Sequence, residues 1–130
     1  MRYTFVCPLP PTLNDQIADA RGNKFKSAST KKKWTQLVAK IVVDAPKFDS
    51  KVWIEFEWFV KNMRRDDDNI KASQKFINDG LVLAGIIKED NLGVIQSPQL
   101  HHFAKGDFDQ VRVTVSDSPL FEIVRLTDRQ

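Results

Sequence analysis

A second cysteine is missing from this chain of 130 residues. Cys7 alone cannot close an intramolecular disulfide, which suits a reducing, cytoplasmic setting, and it reads as a small core hydrophobe on a first strand. Long apolar runs are also missing. None approaches the length that spans a bilayer, and Pro8, Pro10 and Pro11 break up what would be a signal-peptide core, so no membrane association is expected. No internal repeat or low-complexity stretch is present. Nor is there much net charge: 20 Lys and Arg against 17 Asp and Glu leave +3. A charge that small identifies no partner by itself.

What is there suffices for one ordinary domain. A chain of this size buries about two-thirds of its unfolded surface, enough for a core without a metal or disulfide staple. Hydrophobic residues at 42% and charged residues at 28% exclude the core-poor composition of a disordered chain.

The order of elements reads β, α, β, α, β, β. Arg2 to Cys7 is a short strand, ended by the extended Pro8-Leu9-Pro10-Pro11 stretch, with Asn14 closing the loop. Residues 21–26, with Gly22 and Asn23, read as a turn or small hairpin. Ser27, Ser29 and Thr30 offer caps for a helix in which Trp34, Leu37, Val38, Ile41 and Val42 recur at helical spacing. Between Lys51 and Val60 strict alternation puts Val52, Ile54, Phe56, Trp58 and Val60 on one side of a strand. A second helix starts near Asp68, carries Ile70, Ser73, Ile77, Leu81 and Ala84 on one stripe, and stops at Gly85. Residues 94–103 and 110–115 read as two strands joined near Gly106 as a hairpin. The expected fold class is α/β or α+β, a single mixed β-sheet with two main helices packed on it, over residues 1–116. Residues 117–130 read as a tail whose Leu120, Phe121, Ile123 and Val124 suit docking on the body or on a partner.

Charge position says more than charge total. From Arg21 to Lys40 there are seven basic residues, Arg21, Lys24, Lys26, Lys31, Lys32, Lys33 and Lys40, and no acidic one. As a group they suit phosphate contacts, although each alone reads as an ordinary solvated lysine or arginine. Asp66, Asp67 and Asp68 then follow Arg64 and Arg65 directly, with Lys71 and Lys75 beyond. Two readings of the aspartates stand. One is a helix cap, for which a single aspartate would serve. The other is a Mg²⁺ site, in which Asp66 and Asp68, spaced i and i+2 at a helix start, are joined by a third carboxylate such as Asp90. His101 and His102, adjacent on a strand, alternate to opposite faces and read as surface or packing residues. Trp34, Trp53 and Trp58 read as core or interface side chains.

Three segments in order carry a resemblance: Pro8-Leu9-Pro10-Pro11-Thr12-Leu13-Asn14; Arg65-Asp66-Asp67-Asp68-Asn69-Ile70 with Gln74-Lys75-Phe76-Ile77-Asn78-Asp79-Gly80-Leu81; and Ala84-Gly85-Ile86-Ile87-Lys88-Glu89-Asp90. Together they resemble the signature of RusA-type Holliday-junction resolvases. The resemblance implies a homodimeric, Mg²⁺-dependent endonuclease that cuts four-way DNA junctions by paired nicks. Asp66, Asp68 and Asp90 take the places of metal ligands, and Lys75, or else Lys71, that of the catalytic lysine. Arg21, Lys24, Lys26, Lys31, Lys32, Lys33, Arg64, Arg65 and Lys71 are the expected DNA-binding residues. Asp67 departs from the family's commoner apolar residue or proline. Two other functions share these features: a junction-binding protein that does not cut, and a metal-dependent nuclease for other branched nucleic acids.

Overall fold

A computed structural model describes residues 1–121. The chain runs β1 (Arg2–Pro8), α1 (Leu13–Gly22), α2 (Lys24–Ile41), β2 (Trp53–Val60), α3 (Asp67–Lys71), α4 (Gln74–Leu83), β3 (Leu100–Lys105) and β4 (Gln110–Ser116). The strands form one mixed sheet in the order β1-β4-β2-β3. β4 pairs antiparallel with both β1 and β2, while β3 pairs parallel with β2. This is a small α/β domain.

The alternation of β2 decides the layering. Val52, Ile54, Phe56, Trp58 and Val60 are all buried. On this face lie Cys7 from β1, Val111, Val113 and Val115 from β4, and Val38, Ile77 and Leu81 from the helices, in one continuous core. Full burial of an aliphatic chain such as Ile77 or Leu81 contributes roughly 1.5–3 kcal/mol. α2 and α4 touch closely at Gly80, where a Cβ would stand 2.4 Å from Val38 Cβ. Gly85 has φ +74°, a conformation glycine adopts without steric penalty, and it ends the turn after α4.

Residues 94–115 do not form the expected hairpin. β4 is seated on the far side of β2 from β3, so the strands lie two spacings apart, roughly 9.5 Å. The connection passes over the end of β2. Gly106 N donates to Val60 O at 3.0 Å and Lys61 N to Asp109 Oδ1 at 2.9 Å. Parallel pairing of β2 with β3 in turn requires a long crossover, which carries α3 and α4. The strand expected from Val94 is also shorter, beginning at Leu100, with Ile95 making only an isolated bridge to Val52.

The turn or small hairpin expected at residues 21–26 is instead the junction of two helices. α1 buries no residue, and its start is fixed by a capping box, with Thr12 N donating to Asp15 Oδ2 at 3.0 Å. Asn23 accepts from Lys26 N at 2.7 Å and so caps α2, which begins before the expected Ser27 to Thr30. The second expected helix is divided into α3 and α4 around Ala72 and Ser73. Ser73 Oγ donates to Pro10 O at 2.9 Å, tying that break to the Pro-rich loop. Of the tail, Ile123 and Val124 lie outside the described residues; Asp117 bonds the Met1 amino group at 2.7 Å. No helix among the described residues is long and apolar enough to cross a membrane.

Candidate functional site

Asp66 and Asp68 line one open cleft of about 710 Å³, whose opposite wall is Thr12 to Asp15 at the start of α1. The Pro-rich loop reaches this place because three bonds hold it there. Asn14 N donates to Asn69 Oδ1 at 2.9 Å, Gln16 Nε2 to Ala72 O at 3.1 Å, and Ser73 Oγ to Pro10 O. Two segments far apart in the chain, 55 residues at the Asn14 to Asn69 bond, thus form the walls of one cleft.

Capping does not occupy the aspartates fully. Asp66 is the N-cap of α3 by backbone conformation, yet its side chain makes no capping bond. Asp67 Oδ1 accepts from Asp68 N at 2.9 Å. The Asp68 carboxylate is 84% exposed, with Lys71 Nζ 3.4 Å away. Arg64 and Arg65 line the same cleft. Arg65 is committed to Asp109, Nη1 to Oδ2 at 2.9 Å, whereas the side chain of Arg64 is exposed.

Asp90 does not line that cleft. It accepts from Asn78 Nδ2 at 3.2 Å and borders a second cleft with Gln74, Gln99 and His101. Burial pushes its carboxyl above the ordinary aspartate range, and the charge of Asp79 adds to the rise against the Asn78 bond and Lys75. Lys75 stands on α4 beside Asp19 and Lys31, not on one helical face with Asp68, because the chain breaks between α3 and α4. Lys71 is the lysine that meets Asp67 and Asp68. Among the described residues no three His, Cys, Asp or Glu side chains gather as a metal site. A set made of Asp66, Asp68 and Asp90 is therefore not assembled. Mg²⁺ commonly takes only one or two protein carboxylates, completing its octahedron with water and substrate phosphate, and the pair Asp66 and Asp68 fits that smaller requirement.

The basic stretch lies on the end of α1 and the first half of α2. Arg21, Lys24, Lys26, Lys31, Lys32 and Lys33 are all exposed. Two are drawn toward carboxylates, Lys26 to Asp19 at 3.6 Å and Lys31 to Asp79 at 3.9 Å. Phe25, in the middle of the stretch, is 76% exposed, with the Lys24 ammonium 5.6 Å from its ring centre. Sequence pattern gives no reason to single it out, since an isolated aromatic near an amphipathic helix suggests core.

His101 and His102 do take opposite faces. His102 Nε2 lies 3.2 Å from Glu55 Oε2, while His101 stacks beside Phe56 and Trp58. The buried Trp58 Nε1 donates to His101 Nδ1 at 2.9 Å. Burial, with the nearby charge of Lys71, pushes the imidazole down to about 4. The two residues are 43 apart in the chain, so only parallel pairing of β2 with β3 brings them together. Neither a model of a known protein family nor a curated protein sequence matches this chain.

Proposed function

We propose that this protein is a Mg²⁺-dependent, structure-selective endonuclease that resolves four-way DNA junctions, acting as a homodimer in the manner of the RusA-type resolvases its sequence resembles. The observation that carries this reading is the cleft in which Pro11-proximal residues 12–15 face residues 64–69. Two of the three resemblance segments meet there, and two carboxylates stand beside Lys71 and the exposed Arg64.

In this reading Asp66 and Asp68 would hold a Mg²⁺ ion, which would supply water activation and charge neutralisation at a scissile phosphate. Arg64 and Lys71 counter the repulsion between these carboxylates and a phosphodiester. Lys71, 3.4 Å from Asp68, is the lysine this reading assigns to the developing negative charge, in place of Lys75. Arg21, Lys24, Lys26, Lys32 and Lys33 hold backbone phosphates without reading sequence. A two-fold dimer presents two such clefts to a junction of approximate two-fold symmetry, which suits paired nicks.

The separation of Asp90 from Asp66 and Asp68 favours a second reading, a junction-binding protein that does not cut. Asp68→Asn separates the two. On the nuclease reading the variant binds a synthetic four-way junction as the parent does and loses Mg²⁺-dependent nicking. Cleavage retained by the variant would remove Asp68 from the reaction.

A further inference from the structure

The second cleft, where Asp90 lies, has a composition unlike the first. It encloses about 470 Å³, within the roughly 300–1,000 Å³ of small-ligand clefts. Its polar groups are mostly neutral and have fixed directions. An indole can only donate, so the bond from Trp58 Nε1 forces His101 Nδ1 to be the acceptor and leaves the proton of the neutral ring on Nε2. That Nε2–H has no hydrogen-bond partner among the described residues, and it belongs to a ring that lines the cleft. Gln74 Nε2 donates to Gln99 Oε1 at 2.5 Å, which leaves the Gln74 amide oxygen and one of its N–H groups, and both N–H groups of Gln99, without a partner among the described residues. Asp90 keeps acceptor capacity beyond its bond from Asn78. Ile95 and Pro98 supply apolar wall.

The cleft thus offers donors on His101 and the glutamine amides and acceptors on Gln74 and Asp90 beside apolar surface, and among the described residues no lysine or arginine lines it. A phosphate group would find a carboxylate there and no positive charge. A planar heterocycle whose edge alternates donors and acceptors would find partners for both, and a nucleobase is such a group. Lys71 and Lys75 stand close enough for their charges to act on His101 and Asp90, so an attached backbone phosphate has cations at the margin. We propose that the cleft bordered by Gln74, Asp90, Gln99 and His101 binds a single unstacked nucleobase. This rests on the nucleic-acid reading above and adds to it a place for one base beside the branch.

Two arms distinguish a free nucleotide from a base within a strand. In the first, the Trp58 indole N–H resonance is followed while deoxynucleoside monophosphates are added, with 2-deoxyribose 5-phosphate as the base-less control. The indole is bonded to His101, so base binding shifts it and the control does not. In the second, 2-aminopurine replaces a base at the branch point of a four-way junction, and its fluorescence rises on binding because the base leaves the stack. The double variant Gln74→Ala, Gln99→Ala, altered only at half-buried positions, abolishes whichever response the parent shows and weakens junction binding about tenfold. Absence of both responses in the parent, or persistence of the response in the double variant, overturns the proposal. Junction nicking without any base response retires the base site and leaves the nuclease reading standing; a base response without nicking does the reverse.

Discussion

His101 shows how a single contact sets the state of a side chain. Its Nδ1 is occupied by a buried indole donor, and protonating the ring adds a proton at that nitrogen and so breaks the bond, while partial burial opposes the charge. With a folded value of about 4 against 6.5 when exposed, the unfolded chain binds a proton between those limits that the folded chain does not. Stability contributed by neutral His101 is therefore lost as pH falls from 6.5 towards 4 and is constant above. Asp90 tilts the other way, since its raised value keeps the folded protein protonated where the unfolded chain has released its proton. Thermal melts of the parent and of His101→Gln, whose amide oxygen still accepts from Trp58, isolate the histidine. The parent's midpoint rises more steeply across this range than the variant's; equal slopes would contradict the assignment. None of this is legible in the chain, where His101 and His102 differ only in strand parity. Parity does place them on opposite faces, but the partner of each comes from a strand more than forty residues away.

At the scale of elements, legibility follows burial. β2 is evident because every second residue from Val52 to Val60 is buried, and period-two burial leaves its mark on composition. α1 buries nothing, so no apolar stripe announces it, and only the Thr12 to Asp15 capping box marks its start. The 94–115 hairpin expectation fails for a different reason: Gly106 signals a chain reversal locally, but which strand receives β4 is decided by β2, which has two free edges to fill. The contact of α2 with α4 depends on the missing side chain at position 80. Gly80→Ala puts a methyl 2.4 Å from Val38 and has to move one helix, destabilising by about 1–3 kcal/mol. A lowered urea midpoint with unchanged slope is the expected reading, and an unchanged midpoint would mean that α2 and α4 are not packed this closely. The basic face of α2 has its own test. Lys31 is partly engaged by Asp79, but Lys32 and Lys33 make no ion pair among the described residues. Replacing all three by Ala lowers the salt slope of DNA binding by about two, at roughly 0.9 per phosphate contact. An unaltered slope would remove α2 from the interface.

Across the whole molecule, 20 basic and 17 acidic residues nearly cancel, yet two stretches of the chain group them by sign. The first half of α2 is basic, and the start of α3 carries three carboxylates in the open cleft walled by Thr12 to Asp15. The sequence makes this separation visible, and it makes Asp66 and Asp68 candidates together because they are neighbours. It does not make visible where Asp90 goes. That depends on the course of the chain after α4, through Gly85 and the Asn78 bond, to a cleft on the β3 side. The proposed function has the Asp66 and Asp68 cleft cut branched DNA with Mg²⁺. Its most direct test is a side-by-side incubation of end-labelled four-way junction, flap and linear duplex with the protein, in Mg²⁺ and in EDTA. Paired nicks in the junction, much weaker cutting of flap and duplex, and none in EDTA are the predicted result; a junction bound but left intact in Mg²⁺ would contradict it.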